Sequence, residues 1–183
     1  MKSSLIWQAD IHAFASINPK IQAWLQDSDS LTEKLQNYYP EFQLKLLSQK
    51  WNKILTSEMA VLKKIFPQLY VKKPEQDFLI RQIYLCCQNK PMIYARTVIP
   101  KPIAHKFKTL GTKPIGKILI DKLNLPRSKF FYRLIDPADS LYAYVNFATK
   151  RPTETLHARL SWFEVEQYPL LITEVFTGYF DYP

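Results

Sequence analysis

Glycine, cysteine and long apolar runs are all scarce in this chain of 183 residues. Only three glycines are present, Gly111, Gly116 and Gly178, and none belongs to a glycine-rich phosphate-binding or dinucleotide-binding motif. The two cysteines, Cys86 and Cys87, are neighbours on a predicted strand, where adjacent side chains point to opposite faces, so a disulfide between them is not expected. Two thiols without a disulfide framework are typical of a cytoplasmic protein.

Metal-ligand and membrane-spanning patterns are also lacking. The three histidines, His12, His105 and His157, are far apart, and none has another His or Cys three or four residues away. No segment approaches the roughly 18–20 consecutive apolar residues of a membrane-spanning helix. The N-terminus lacks the apolar stretch of a signal peptide. We therefore expect a cytoplasmic protein with neither a metal ion nor a membrane insertion.

Apolar and basic residues are the two classes that the sequence has in quantity. Apolar residues make up 47% of the chain, which is enough for the core of one domain, and we expect residues 1–183 to form one. The formal net charge is +9, but the basic residues are scattered and form no run of five like charges. A basic surface suits an anionic small molecule, a nucleic acid or an anionic membrane, and the scatter argues against a nucleic-acid interface.

Two helices followed mainly by strands are predicted from the spacing of apolar residues. The first helix begins at Asn18-Pro19, an N-cap followed by a residue suited to the first helical position. The second begins at Ser30, with Glu33 in capping-box position, and ends before Pro40. The predicted strands alternate apolar residues with period two and cover Glu41–Trp51, Asp77–Cys87, Met92–Ile99, Ser128–Ile135, Thr155–Glu166 and Leu170–Phe176.

The segments between these strands are shorter or less regular. Ser57–Ile65 has helical spacing, although its position between two strands also allows a long loop. Short helices or turns are predicted at His105–Leu110 and Lys117–Leu123, whereas Asp136–Asn146 has no regular pattern. A two-residue turn at Gln167-Tyr168 is predicted between the last two strands. This order indicates an α+β domain with its helices packed against one antiparallel sheet.

Glu174 is the most unusual residue, because it is a carboxylate inside an apolar strand. Such burial is costly unless the carboxylate is paired or belongs to a functional site. Arg81 shares its strand face with aliphatic residues, so its head group either reaches water or binds a carboxylate through its planar fork. If Arg81 and Glu174 face one cavity, they form either a structural ion pair or the two ends of a ligand clamp. Arg96 and Arg159 lie on other predicted strands. Each is either exposed to solvent or faces the same cavity as Arg81 and Glu174.

The segment Gly111–Gly116 allows two interpretations. It is either a plain connector or a loop whose backbone N–H groups approach an anion, since glycine removes the steric barrier to close approach.

Five segments stand in a fixed order between about residues 77 and 177. They read L-I-R-Q-I-Y-L-C from Leu79, A-R-T-V-I-P from Ala95, L-G-T-K-P-I-G from Leu110, A-R-L-S-W-F from Ala158 and P-L-L-I-T-E-V-F from Pro169. In this order they resemble motifs of the chorismate pyruvate-lyases, bacterial enzymes that make 4-hydroxybenzoate for ubiquinone. The resemblance implies a six-stranded antiparallel sheet with helical flaps over a buried site, and a monomer without metal or organic cofactor.

The resemblance also implies the roles of individual residues. It places the arginine that binds the product's carboxylate on Arg81 and the glutamate near the hydroxyl on Glu174, with backbone contacts near Leu31 and Ile115. Beyond the resemblance, we expect the second carboxylate of chorismate, on the enolpyruvyl group, to be met by Arg159 or Arg96. Glu174 would either orient the hydroxyl or act as a general acid.

The chain departs from the family pattern at three places. Leu160 stands where many members have a second arginine, which we expect to affect how the second carboxylate is held. Gln88-Asn89 replaces an Asp-Gly type of turn, and Thr112-Lys113 changes a common Lys-Thr order; both are expected to be tolerated surface changes. Two other functions remain open: a non-catalytic binder of small aromatic acids, as in bacterial regulators with this fold, and a basic nucleic-acid binder. The chain lacks an attached helix-turn-helix region, which argues against a regulator.

Overall fold

One antiparallel sheet of six strands is the framework of the protein. The structure is a computed structural model that describes residues 6–14, 17–70, 77–145 and 155–183. The strands lie in the order β1-β2-β3-β6-β5-β4. Their bounds are β1 Phe42–Asn52, β2 Phe78–Cys87, β3 Lys90–Pro100, β4 Phe131–Ile135, β5 Leu156–Val165 and β6 Tyr168–Phe176. The predicted α+β fold with a single six-stranded antiparallel sheet is confirmed.

The helices are short and lie before and between the strands. They are α1 Pro19–Gln26, α2 Leu31–Tyr38, α3 Thr56–Ile65, α4 Pro67–Tyr70, α5 Ile115–Lys117 and α6 Tyr142–Val145, with 3-10 turns at Ile11–Ala13 and Lys101–Lys106 and a π turn at Ile118–Lys122. The side chain of Asn18 caps α1, and that of Ser30 caps α2 by accepting from the backbone N–H of Glu33. In the part of the chain that the structure describes, no helix is both long and apolar enough to span a membrane.

Several predicted boundaries are corrected by the structure. The helix predicted at Ser57–Ile65 is confirmed as α3, which excludes the long loop. The short helix or turn predicted at His105–Leu110 is confirmed as a turn at residues 107–109, which continues a 3-10 turn that begins earlier, at Lys101, directly after Pro100 ends β3. β4 begins at Phe131 and not at Ser128. Ser128 bonds Trp162 of β5 both by donating its backbone N–H and by accepting with its side-chain oxygen.

Two further segments differ from the prediction. The irregular segment predicted at Asp136–Asn146 contains the short helix α6, and Asn146 lies outside the described residues. The turn between β5 and β6 is Glu166-Gln167, one residue before the predicted Gln167-Tyr168, and both of its residues have positive φ. Positive φ at both central positions is the geometry that joins two strands by two residues.

Strands β2 to β6 are buried on both faces, whereas the residues of the edge strand β1 are exposed or half-buried. We name each face after the helices that cover it. On the α3 face, β2, β3, β5 and β6 pack against α3, α4 and α6. On the α1–α2 face, two separate apolar clusters lie against the sheet. One is formed with α1 and α2, mainly by Trp24, Leu25, Leu31 and Leu35. The other is formed with the segment 101–122, mainly by Ile103, Phe107, Ile115 and Leu119.

A β-bulge in the β2–β3 hairpin determines which side chains share a face. Cys86 pairs with Pro91, whereas Leu85 pairs with Ile93, so Met92 is an extra residue in β3. Because side chains alternate along a strand, one extra residue reverses the faces beyond it.

Candidate active site

A row of polar side chains crosses four strands between the two apolar clusters of the α1–α2 face. Arg81 of β2 lies opposite Thr97 of β3, and Glu174 of β6 lies opposite Arg159 of β5, with Ser161 next to it on the same face. None of the five is more than 8% exposed. On β2, β3 and β6 the flanking residues of this face are apolar. Polar groups buried in this way need partners within the protein or in a ligand.

Arg81 is held by the loop that follows the 3-10 turn 101–106. Its Nη1 donates to the carbonyl oxygen of Gly111 at 2.8 Å, and its Nη2 donates to that of Lys113 at 3.1 Å. The Nε atom of Arg81 is buried without a hydrogen-bond partner. Burial lowers the pKa of the Arg81 guanidinium. At these two residues the loop therefore presents carbonyl oxygens to a cation, and not N–H groups to an anion as one interpretation predicted.

Glu174 is paired with Arg159 and not with Arg81. Arg159 Nε donates to Glu174 Oε2 at 2.6 Å. Arg159 Nη1 donates to the carbonyl oxygens at the C-terminal end of α1, those of Trp24 at 3.1 Å, Leu25 at 3.3 Å and Asp27 at 2.7 Å. Cations are favoured at this end of a helix, where carbonyl groups lack partners within the helix. Arg159 therefore joins α1 to the sheet at the polar row, and its Nη2 is left without a partner.

Leu31 and Ile115 lie on either side of the polar row. Leu31 is the first residue of α2 and belongs to the apolar cluster of α1 and α2; Ile115 is the first residue of α5 and belongs to the opposite cluster. Both side chains are buried.

Arg96 does not lie in the polar row. It lies opposite Gln82 on the α3 face, where its Nε donates to both carboxylate oxygens of Glu58 at 3.1 and 3.2 Å. The bulge at Met92 is the reason, since it reverses the faces of β3 relative to regular pairing. Leu160 also faces the α3 side, opposite Thr173 and fully buried, so its side chain does not point to the polar row. The expected influence of Leu160 on the second carboxylate has no structural basis.

Arg127 is the residue that the sequence did not reveal. It lies in the loop before β4, paired with Phe163 by an isolated β-bridge. Its guanidinium carbon lies 5.4 Å from the ring centre of Phe163 and 5.5 Å from that of Phe130, whose ring also lies 4.3 Å from the guanidinium carbon of Arg159. Burial lowers the pKa of Arg127, and the negative charge of Glu174 opposes this shift. Arg127 follows a proline in a stretch without strand or helix periodicity, so no pattern marked it.

Positive charge is in excess along this row. Among the described residues, Arg81 and Arg159 of the row and Arg127 beside it lie near one buried carboxylate, that of Glu174, and the partly exposed Asp27 nearby is already paired with Lys34. This leaves two positive charges in excess. Arg81, Arg127, Arg159 and Ser161 all have buried polar atoms without a hydrogen-bond partner. Such atoms are rare in folded proteins, so the row is suited to an anionic ligand with several oxygen acceptors. Among the residues described, no three His, Cys, Asp or Glu side chains are grouped so that they could hold a metal ion.

Solved structures with the same fold come from bacterial proteins. The chain resembles a gene product of Staphylococcus aureus with a TM-score of 0.55 at 10% identity, covering 82% of this chain and 88% of that one. It resembles the ligand-binding domain of a putative GntR-family transcriptional regulator from Bordetella bronchiseptica with a TM-score of 0.52 at 10% identity, covering 76% and 86%. At this identity the likeness concerns the fold alone.

Sequence relatives are closer. A protein from Hydrogenovibrio crunogenus named probable chorismate pyruvate-lyase is 34% identical over 162 residues, covering 86% of this chain and 81% of that protein. A protein of the same name from Psychromonas ingrahamii is 28% identical, covering 96% and 91%. The family model described as chorismate lyase matches residues 1–180. With a match over nearly its whole length, the chain belongs to the chorismate lyase family.

Proposed function

We propose that this protein converts chorismate to 4-hydroxybenzoate and pyruvate at the polar row of the α1–α2 face. The observation that carries the proposal is the excess of two positive charges, on the buried Arg81 and Arg159 and the half-buried Arg127, beside the buried Glu174. Chorismate has two carboxylates and one ring hydroxyl, so its charge and its acceptors complement this row. Membership of the chorismate lyase family supports the reaction class, since relatives are named probable chorismate pyruvate-lyases.

The roles of the residues follow from their neighbours. Arg81 binds the ring carboxylate, for which its free Nε is available, and the backbone near Ile115 supports the same end. Glu174 lies across the row and accepts a hydrogen bond from the ring hydroxyl, with the backbone near Leu31 on that side. Because Glu174 already accepts from Arg159, we assign it an orienting role. Low polarity around the row strengthens each of these contacts.

The reaction requires little covalent chemistry from the protein. The bond between the ring carbon and the enolpyruvyl oxygen breaks, and the hydrogen on the carbon that bears the hydroxyl leaves the ring. The three-carbon fragment takes up one proton at its methylene group and becomes pyruvate. Aromatisation of the ring drives the reaction, so the protein acts by positioning the ether and the departing hydrogen and by stabilising the charge that develops.

The wider setting is part of the proposal. We infer that the aromatic product supplies ubiquinone synthesis, that the reaction occurs in the cytoplasm, and that one chain performs it without a metal or an organic cofactor.

Incubation with chorismate tests the proposed function. Purified protein should release 4-hydroxybenzoate, followed by its ultraviolet absorbance, and an equal amount of pyruvate, followed with a coupled dehydrogenase. Glu174→Gln should lower the rate by about 100-fold, the size expected when one group that orients a reacting substrate is lost. Glu41→Gln, on an exposed position just before β1, is the matched control and should be as active as the wild type. Release of neither product by the wild-type protein would refute the proposal.

A binder of small aromatic acids is the second candidate, because the GntR-family ligand-binding domain shares this fold. The same row would then hold an aromatic carboxylate without turning chorismate over. Binding of 4-hydroxybenzoate by calorimetry, together with no pyruvate from chorismate, would favour this candidate over the enzyme.

A further inference from the structure

Arg127 lies beside the polar row, near Glu174, and uses less of its bonding capacity than Arg81 and Arg159 do. Its Nε and Nη1 atoms are both buried and have no hydrogen-bond partner. By contrast, Arg81 donates to two backbone carbonyls and Arg159 to Glu174 and three carbonyls of the α1 end. A buried guanidinium whose nitrogens lack acceptors is costly unless a ligand supplies them.

The surroundings of Arg127 fix its position without neutralising its charge. The rings of Phe130 and Phe163 lie beside the guanidinium at 5.5 and 5.4 Å, within the range of cation–π contacts. On another side, Nη2 would lie 3.8 Å from a β-carbon added at Gly116, which follows Ile115 in α5. The head group is therefore packed between the loop before β4, strand β5 and the first turn of α5.

Arg127 also lines a groove on the surface, which connects its position to the outside of the protein. The groove has a volume of about 480 Å³ and is formed by the loop 126–131 together with Ala9, Trp162 and Glu164. The lining is mainly apolar apart from a few charged side chains. Arg127 is therefore shared between the buried row and an open surface, unlike Arg81, which is 1% exposed.

We propose that Arg127 binds the second carboxylate of the substrate, the one on the enolpyruvyl group. This assignment rests on the proposed function and extends it. Arg81 and Arg127 then each bind one of the two carboxylates of chorismate, while Arg159 holds Glu174. Arg96, the other arginine considered for this role, has its Nε on Glu58 on the opposite face of the sheet.

Arg127 would then contribute to the binding of chorismate but not to that of 4-hydroxybenzoate. Chorismate has both carboxylates, whereas 4-hydroxybenzoate has only the ring carboxylate. Loss of the Arg127 charge should therefore weaken the binding of chorismate and leave the binding of 4-hydroxybenzoate nearly unaffected. A merely structural role for Arg127 would affect both ligands together.

Three variants measured with both ligands test the assignment. Arg127→Gln should raise the KM for chorismate by about 10- to 100-fold, the range for losing a hydrogen bond between charged groups, and should change the Kd for 4-hydroxybenzoate by less than about threefold. Arg127→Lys keeps the charge without the planar fork and should give an intermediate KM. Lys64→Gln removes the same charge from an exposed position of α3, on the opposite face of the sheet, and should leave the affinities for both ligands within about twofold of the wild type.

The outcomes separate this assignment from the proposed function. The assignment is overturned if Arg127→Gln keeps the wild-type turnover and KM, or if it lowers the affinities for both ligands equally. The proposed function is not affected by either result. A wild-type protein that neither converts nor binds chorismate overturns both. If Arg127→Gln does not fold, the ratio of the two affinities in Arg127→Lys decides: a ratio equal to that of the wild type overturns the assignment.

Discussion

Buried or half-buried arginines lie on both faces of the sheet, but their charges are balanced on only one. On the α3 face, Arg96 is paired with Glu58 and Arg133 with Asp139, so two cations meet two carboxylates. On the α1–α2 face, as far as the chain is described, Arg81, Arg127 and Arg159 lie near one buried carboxylate, that of Glu174, while the partly exposed Asp27 is paired with Lys34. Donors without partners occur on both faces, since Trp7, Ser57 and Arg133 on the α3 face also have them. The excess charge is therefore the feature that distinguishes the two faces.

This difference distinguishes an arginine with a structural role from an arginine that binds a ligand. A buried ion pair is closed when each charge has its counter-charge and its hydrogen bonds within the protein. The α3 face fits that description, and removing one partner there should destabilise the fold. The α1–α2 face does not, and removing a cation there should affect a ligand more than the fold.

Arg96→Met is expected to have the largest effect on stability. It leaves Glu58, which is 0% exposed, without its counter-charge, and such a loss costs about 3–5 kcal/mol. For a chain of this size the melting temperature should fall by about 10 °C. Thermal unfolding without ligand gives the shift. The double variant Glu58→Leu with Arg96→Met should recover part of the lost stability. If the double variant were less stable than Arg96→Met alone, the charges on this face would not be balanced by each other.

Arg81→Met should act mainly on the ligand. Affinity for 4-hydroxybenzoate should fall by about 100-fold, equivalent to about 3 kcal/mol, because the carboxylate loses a buried charged donor. The free energy of unfolding should fall by about 1–2 kcal/mol, since two backbone carbonyls lose a donor but excess positive charge is also removed. Calorimetric titration and thermal unfolding measure the two effects. A loss of stability as large as that of Arg96→Met, with unchanged affinity, would remove the distinction between the faces.

Acid should weaken the protein through His157, which lies opposite Phe176 at one end of the α1–α2 face. Burial lowers the pKa of His157 to about 4 in the folded protein. Between pH 6.5 and 4 the unfolded chain takes up a proton that the folded protein does not, so stability falls as the pH falls. The loss should reach about 2 kcal/mol at pH 5.

Melting temperatures from pH 7.5 to 5 check the effect of His157. His157→Phe should flatten the dependence on pH, whereas His12→Gln, on an exposed residue, should leave it unchanged. Equal slopes for the wild type and His157→Phe would show that this histidine is not the group responsible.

The smallest effects should come from one hydroxyl on each face. Ser161→Ala removes a buried oxygen without a partner, so stability without ligand should change by less than about 0.5 kcal/mol while affinity falls about fivefold. Thr173→Val removes a donor to Glu58 Oε1 at 3.3 Å, so stability should fall by about 1 kcal/mol with unchanged affinity. Unfolding and titration of both variants would show whether the two faces respond in opposite ways.

Much of the fold could be predicted from periodicity, and so could part of the candidate site. Alternation along β2 placed Arg81 on the face of Leu79 and Ile83, where the structure has it. Glu174 was marked by being a carboxylate in an apolar strand, and the structure places it in the polar row. These inferences hold because alternation within one strand depends only on that strand.

Pairing between strands could not be predicted in the same way. A two-residue turn at Gln88-Asn89 with regular pairing would set Arg96 opposite Arg81, but the extra residue Met92 turns Arg96 to the other face. Arg127 was missed for a related reason. It lies in a loop, where no period relates position to burial, and only tertiary packing brings it towards Glu174.

The four hydrogen bonds of Arg159 have a consequence for thermodynamic linkage. One guanidinium holds both Glu174 and the C-terminal end of α1. Any ligand that changes the contact between Glu174 and Arg159 therefore also changes the hold on α1, and the coupling free energy is the same in both directions. A substitution on the outer surface of α1 can thus alter ligand affinity without touching the ligand, and the helix is energetically part of the binding site.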